Sequence, residues 1–273
     1  MISRILVALL TIPGLILVML KGDISLWFVM TGIIVISTFE FYKMLDKKGI
    51  KTYKVYGILA SFFIPTFCYF KYEFFSFIKN EPYFILTFFV MLTIITHIFS
   101  GKIEETSMKL SYTFLGILYV PFLFSHVLLL KHVDYGNHWI LTAFLLVWAS
   151  DSAAYFIGIK FGKHKMSPKI SPKKSIEGGI AGIVAPILAL FLIKYVLYFK
   201  EVNIPFIHLI LLGMVIGIIG QLGDLGESLL KREYNIKDSG NLLFGHGGFL
   251  DRFDSLIFIT PTLYYYVKFF ITK

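Results

Sequence analysis

A chain of 273 residues is long enough for one or two soluble domains, but 57% hydrophobic residues, 16% charged residues and a mean hydropathy of +0.77 exclude that class. The single cysteine, Cys68, excludes an intrachain disulfide and a cysteine-built metal site. Most of the +9 formal charge lies in short segments between apolar stretches, which points to anionic phosphates at a membrane surface rather than to nucleic acid.

Crossing a hydrocarbon core about 30 Å thick takes about 20 apolar helical residues. Nine runs approach that length, near 5–20, 24–42, 55–70, 83–99, 110–130, 139–159, 179–199, 204–223 and 252–271. The first contains Ile12-Pro13-Gly14 and lacks a small-residue cleavage site, so it reads as a span rather than a secretory leader. The prediction is an all-α, polytopic integral membrane protein of about nine transmembrane helices. Placing the N-terminus inside puts 18 of the 26 Lys and Arg residues in cytoplasmic segments, and the odd count then puts the C-terminus outside. Residues 1–135 carry no evident chemical motif and are expected to serve as scaffold or dimerisation helices, whereas 136–273 hold nearly all the unusual polar residues and are expected to form the catalytic part. A homodimer through the early or glycine-rich spans is expected.

Asp151 falls inside the run 139–159, where an ionised carboxylate costs roughly 2.5–3.5 kcal/mol. Either it faces a wet or metal-filled cavity, with Ser150, Ser152 and Tyr155 nearby, or it pairs with a structural lysine or serine. In the eighth span Gly213, Gly217, Gly220, Gly223 and Gly226 form a small-residue stripe that admits another helix. Gln221, Asp224, Ser228 and Lys231 share a face of the same helix. The plainer alternative there is a cytoplasmic helix end with Glu227 and Lys231 as a surface pair. The last span opens with Asp251-Arg252-Phe253-Asp254, two carboxylates at i,i+3, more than one helix cap needs. Asp151, Asp224, Asp251 and Asp254 together offer hard oxygen ligands from three helices, suited to Mg²⁺ and not to zinc.

Facing these acids are two basic, glycine-bearing stretches. Lys231-Arg232, Lys237-Asp238-Ser239-Gly240 and Gly245-His246-Gly247-Gly248 combine charge with backbone that permits close approach, as a polyphosphate cradle requires; the alternative is an amphipathic positive-inside loop. Ser171-Pro172-Lys173-Lys174-Ser175-Ile176-Glu177-Gly178-Gly179 sets lysines just ahead of the seventh span, which favours phosphate recognition over plain attraction to anionic lipid.

The stretch Ser228 to Asp254, with Ser228-Leu229-Leu230-Lys231-Arg232, Lys237-Asp238-Ser239-Gly240 and His246-Gly247-Gly248-Phe249-Leu250-Asp251-Arg252-Phe253-Asp254, strongly resembles the signature of the phosphatidate cytidylyltransferases, also called CDP-diacylglycerol synthases. Asp151 and the upstream Ser-Pro-Lys-Lys-Ser-x-Glu-Gly stretch also look like family features, and the resemblance covers about residues 139–271. One departure is Phe244, where the family usually has proline or a small residue. The resemblance implies transfer of CMP from CTP to phosphatidate, giving CDP-diacylglycerol and pyrophosphate, with a divalent metal, on the cytoplasmic side of the membrane. The residues suit that reaction independently: Asp224 and Asp251, assisted by Asp151 and Asp254, are expected to hold one or two cations, Mg²⁺ among them. Lys231 and Arg232 would act in catalysis, and Lys173, Lys174, Ser175, Glu177, Ser228, Lys237, Asp238, His246, Gly247, Gly248 and Arg252 would bind substrate. CTP, phosphatidate and membrane lipid are then the partners.

Two rival functions stay open at this point. A cytidylyltransferase for another lipid phosphate would look alike near the metal, and an ion-coupled transporter also uses intramembrane carboxylates and glycine-broken helices. The transporter predicts charge along a path reaching both faces, whereas these polar residues crowd toward one side. No Gly-x-x-x-x-Gly-Lys-Ser/Thr loop and no His-Glu-x-x-His motif is present.

Overall fold

Hydrocarbon offers a backbone no hydrogen-bond partners, so an apolar chain satisfies itself by winding into helices. A computed structural model describes residues 13–70, 84–101, 103–197, 202, 204–240, 242 and 247–271, and these are almost wholly helical. After a helical stretch at 13–21 come α1 (Ile24–Lys47), α2 (Lys54–Phe70), α3 (Phe84–Phe99), α4 (Thr106–His132), α5 (Gly136–Phe161), α6 (Ile176–Leu197), α7 (Phe206–Glu233) and α8 (Leu250–Tyr266). A two-stranded antiparallel hairpin, β1 (Lys165–Ser167) with β2 (Ser171–Ser175), joins α5 to α6.

Among the described residues five helices, α1 and α4 to α7, are long and apolar enough to cross a membrane; α2 and α3 are apolar but only 17 and 16 residues long. The expected count of nine is therefore not reached on that measure. The first half of the run at 5–20, residues 5–12, lies outside the described residues, and α8 has 17 residues with Asp251, Arg252 and Asp254 in its first turns. The apolar run expected to end at 223 continues as helix to Glu233, so Gln221, Asp224, Ser228 and Lys231 lie on one helix as expected, with Lys231 and Arg232 on its last turn.

Packing divides the chain into two compact units, Met1–Leu129 with Tyr234–Arg252 and Leu130–Glu233 with Phe253–Lys273. The signature stretch Tyr234–Arg252 packs with the first unit.

In the first unit, Asp23 caps α1, accepting from the Ser25 amide at 2.9 Å. Leu26, Met30, Ile34, Phe41 and Leu45, all fully buried, make the inward stripe of α1. Tyr42 on that stripe donates to the Thr113 carbonyl of α4 at 2.7 Å, and its ring occupies the space beside Gly57 and Gly116 that any side chain there would need. Pro121 lies in a widened turn of α4, Leu118–Phe122, which accommodates a residue with no amide hydrogen to donate.

In the second unit, Ser175 caps α6, its hydroxyl accepting from the Gly178 amide at 3.2 Å. The glycine stripe of α7 serves two neighbours. A Cβ on Gly213 or Gly217 would lie 2.6 or 2.7 Å from the Cα of Ile187 or Ile183 on α6, and one on Gly223 would lie 2.9 Å from the Asp254 carbonyl oxygen of α8. Backbone cannot swing aside as a side chain can. Gly217→Ala is therefore expected to destabilise the protein by about 1–3 kcal/mol through overpacking. Gly226→Ala, whose Cβ would meet only Phe258 Cζ at 3.9 Å, should be neutral or slightly stabilising. Thermal unfolding midpoints of the two variants in detergent check this.

Candidate active site

In the second unit α5, the hairpin, α6 and α7 enclose a cavity of about 580 Å³. Asp151 and Asp224 line one part of it. Lys165, Lys173, Lys174 and Ser175 from the hairpin line another, and Gly178, Gly179 and Gln221 complete the wall. The hairpin register explains the lysines: Lys165 pairs with Ser175 and Ser167 with Ser171, so the repeated Ser-Pro-Lys sequence folds back on itself ahead of α6.

Lys174 Nζ sits 2.6 Å from Asp224 Oδ2, while Ser228 Oγ donates to Asp224 Oδ1 at 3.3 Å. Asp224 is close enough to repel both Asp151 and Asp254, and Asp254 and Asp151 repel each other as well. Three carboxylates, on α5, α7 and α8, thus lie within electrostatic reach of one another in one unit. Lys174 acts on Asp151, and Lys231 acts on Asp254. All three carboxylates offer hard oxygen donors, the type that divalent cations take, and face at least as many lysines. Among the described residues no three His, Cys, Asp or Glu side chains are grouped at metal-binding spacing; Asp224 engages the Lys174 ammonium instead.

Gln221 donates to the carbonyls of Gly179 at 3.0 Å and Gly217 at 2.9 Å, tying α7 to α6 beside the cavity. Ser150 Oγ similarly donates to the Gly182 carbonyl at 2.8 Å. Lys231 pairs with Glu227, as the i,i+4 spacing predicts, but Glu227 is 0% exposed, so this is no surface pair. Arg232 Nε donates to the Ile170 carbonyl at 3.1 Å, holding the hairpin turn. Glu177 lies outside the cavity lining and accepts from His164 Nδ1 at 2.7 Å and from the His164 amide, fastening the start of the hairpin to α6.

In the first unit the signature loop closes on Asp251. Its carboxylate accepts from the Ser239 amide at 2.9 and 3.2 Å, the Ser239 hydroxyl at 3.0 Å and the Gly248 amide at 2.7 Å. Gly247 has φ +81°, and a Cβ there would stand 2.8 Å from Asp251 Oδ2, so glycine is required twice over. Lys237, Asp238 and Arg252 are exposed. His246 and Phe244 lie outside the described residues.

Two residues escaped the sequence reading. Lys165 reaches the cavity only because of the hairpin, which the apolar-run analysis had no means to find. Glu40, in the middle of α1, is 1% exposed and accepts from the Leu250 amide at 2.9 Å. The signal that singled out Asp151, an acid inside an apolar run, applied equally to Glu40.

Helices of membrane-crossing length around a cavity of opposed carboxylates and lysines are those of a multi-pass membrane protein with a polar site. Residues 2–270 match the Cytidylyltransferase family, to which the chain belongs. The phosphatidate cytidylyltransferase of Bacillus subtilis (strain 168) is 33% identical over 241 residues, 86% of this chain and 86% of that protein. The phosphatidate cytidylyltransferase of Staphylococcus haemolyticus is 41% identical over 128 residues, 47% of this chain and 48% of that one. That of Staphylococcus saprophyticus is 36% identical over 163 residues, 60% and 61% of the two chains.

Proposed function

We propose that this cytidylyltransferase uses phosphatidate as its lipid substrate and CTP as its nucleotide, with Mg²⁺ required. The observation that carries the reading is the cavity in which Asp151 and Asp224 stand against Lys165, Lys173 and Lys174. A phosphatidate oxygen attacks the α-phosphorus of CTP; the new P–O bond forms as the bond to the β-phosphate bridging oxygen breaks, and pyrophosphate leaves with that electron pair. The phosphatidate oxygen is already ionised, so no strong general base is called for. The chief obstacle is repulsion between two polyanions, and the chain's task is to neutralise and align them.

In this reading Asp224 and Asp251, with Asp151 and Asp254, hold one or two cations, Mg²⁺ among them. When bound, such ions supply charge neutralisation to both phosphate groups. Lys173, Lys174 and Ser175 bind phosphate oxygens at the mouth of the hairpin, with Lys165 beside them. Lys231, Arg232, Lys237 and Arg252 steady the departing pyrophosphate. Ser228, Asp238, His246, Gly247 and Gly248 complete the substrate contacts. Glu177 acts at one remove, through His164. The lysine-rich segments favour a site at the cytoplasmic face with the N-terminus inside.

The test uses the purified full chain in detergent or nanodiscs with labelled CTP and Mg²⁺. Pyrophosphate release and labelled CDP-diacylglycerol are expected with phosphatidate and not with phosphatidylglycerol. Release with a polyprenyl phosphate but not phosphatidate would reassign the lipid. No release with any lipid phosphate would refute the transferase reading and turn attention to ion flux in proteoliposomes.

A further inference from the structure

The apolar first unit looks like scaffold, yet it buries a carboxylate that the transfer reaction as described does not use. Glu40 lies among Phe41, Tyr42 and Met44 on the inward stripe of α1. An acid there needs strong compensation. It finds partners about 200 residues further along the chain. Glu40 Oε2 accepts from the Leu250 amide at 2.9 Å, and the Ser239 hydroxyl stands 3.3 Å away. Oε1 is buried and has no hydrogen-bond partner among the described residues.

We infer that Glu40 is a positioning residue, which sets the two ends of the signature loop so that Asp251 is aimed for the reaction; this role rests on the proposed function of Asp251. The Ser239 hydroxyl has one hydrogen to give and two carboxylates in reach, Asp251 Oδ2 at 3.0 Å and Glu40 Oε2 at 3.3 Å. The Ser239 and Gly248 amides point at Asp251, while the Leu250 amide, at the start of α8, points at Glu40. The loop is thereby clamped between two carboxylates, one from each side.

Two glycines fit the same reading. A Cβ on Gly240 would run into the carboxyl group of Glu40, and a Cβ on Gly248 would meet Glu40 and the Ser239 hydroxyl. In this chain the Glu40 carboxyl group, from a side chain about 200 residues earlier, occupies the room that a side chain at either glycine would need. The geometry makes Glu40 part of the signature without being near it in sequence.

The experiment compares wild type, Glu40→Gln and Glu40→Ala as full chains in detergent. It measures kcat and KM for CTP and phosphatidate, hydrogen exchange of the peptide covering residues 247–252, and the thermal midpoint. Glu40→Gln keeps the shape and a weaker, neutral acceptor, so it guards against a misfolded alanine variant. Loss of a charged buried acceptor predicts a kcat lowered roughly 10- to 100-fold in Glu40→Ala and less in Glu40→Gln, with both KM values within about threefold of wild type. Exchange at Gly248 and Leu250 is expected to quicken in the same order. Folded variants with unchanged exchange would overturn the inference, as would faster exchange with wild-type kcat, since Glu40 would then be a structural prop alone. If wild type itself forms no CDP-lipid, the proposed function fails, and the exchange measurement still decides whether Glu40 clamps the loop.

Discussion

Asp224→Asn is expected to lower kcat for phosphatidate-dependent pyrophosphate release by about 10³-fold while leaving the thermal midpoint nearly unchanged. The reasoning is one of charge. Asp224 lies within electrostatic reach of Asp151 and Asp254 and pairs with the Lys174 ammonium at 2.6 Å. Were its role only to pair with Lys174, the effect would be small. Both side chains are partly exposed, at 32% and 26%, and such a pair contributes about 0–1 kcal/mol. An asparagine of the same shape would then cost little in either stability or rate. In the proposed site the substitution removes a full negative charge where cations and two phosphate groups must meet, so the loss falls on the transfer step. The half-saturating Mg²⁺ concentration is expected to rise several-fold, because the amide oxygen is still a hard but neutral ligand. A variant with wild-type kcat and unchanged Mg²⁺ dependence would remove Asp224 from the cation site.

How far the sequence foretold this arrangement depends on the kind of signal each residue carries. Apolar length is a strong signal in lipid, and the run boundaries at 24, 55, 83, 139 and 252 lie within about three residues of the starts of α1, α2, α3, α5 and α8. The lower end of α7 was harder to read, because glycine and charge after residue 223 resemble a span's exit although the helix goes on to Glu233. Asp151 and Asp224 were legible from the cost of a carboxylate in hydrocarbon, and the structure brings them to one cavity with Lys173 and Lys174. The hairpin was not legible: three- and five-residue strands between two membrane helices carry no periodicity long enough to notice. Glu40 was passed over because the signature was sought as a local string, and a local string cannot announce a partner 199–210 residues away.

Asp251→Asn is expected to lower kcat by about 10³-fold and also to loosen the signature loop, a combination that separates it from Asp224→Asn. Both oxygens of Asp251 act as acceptors: Oδ1 takes the Ser239 amide at 3.2 Å, and Oδ2 takes the Ser239 amide at 2.9 Å, the Ser239 hydroxyl at 3.0 Å and the Gly248 amide at 2.7 Å. Asparagine has one oxygen. In the Oδ2 position that oxygen keeps the Ser239 and Gly248 donors, but it accepts them as a neutral group, more weakly than a carboxylate, and the amide nitrogen then stands against the Ser239 N–H that Oδ1 faced at 3.2 Å. Ser239→Ala supplies the comparison, because it deletes one of these donors while leaving the Asp251 charge in place. If Asp251 serves only to close the loop, Ser239→Ala and Asp251→Asn should depress kcat to a similar extent. If its charge also serves the reaction, Asp251→Asn should fall at least tenfold below Ser239→Ala at matched hydrogen exchange over residues 247–252. Equal kcat values for the two variants would confine Asp251 to loop closure and leave the reaction's acidic groups to the second unit.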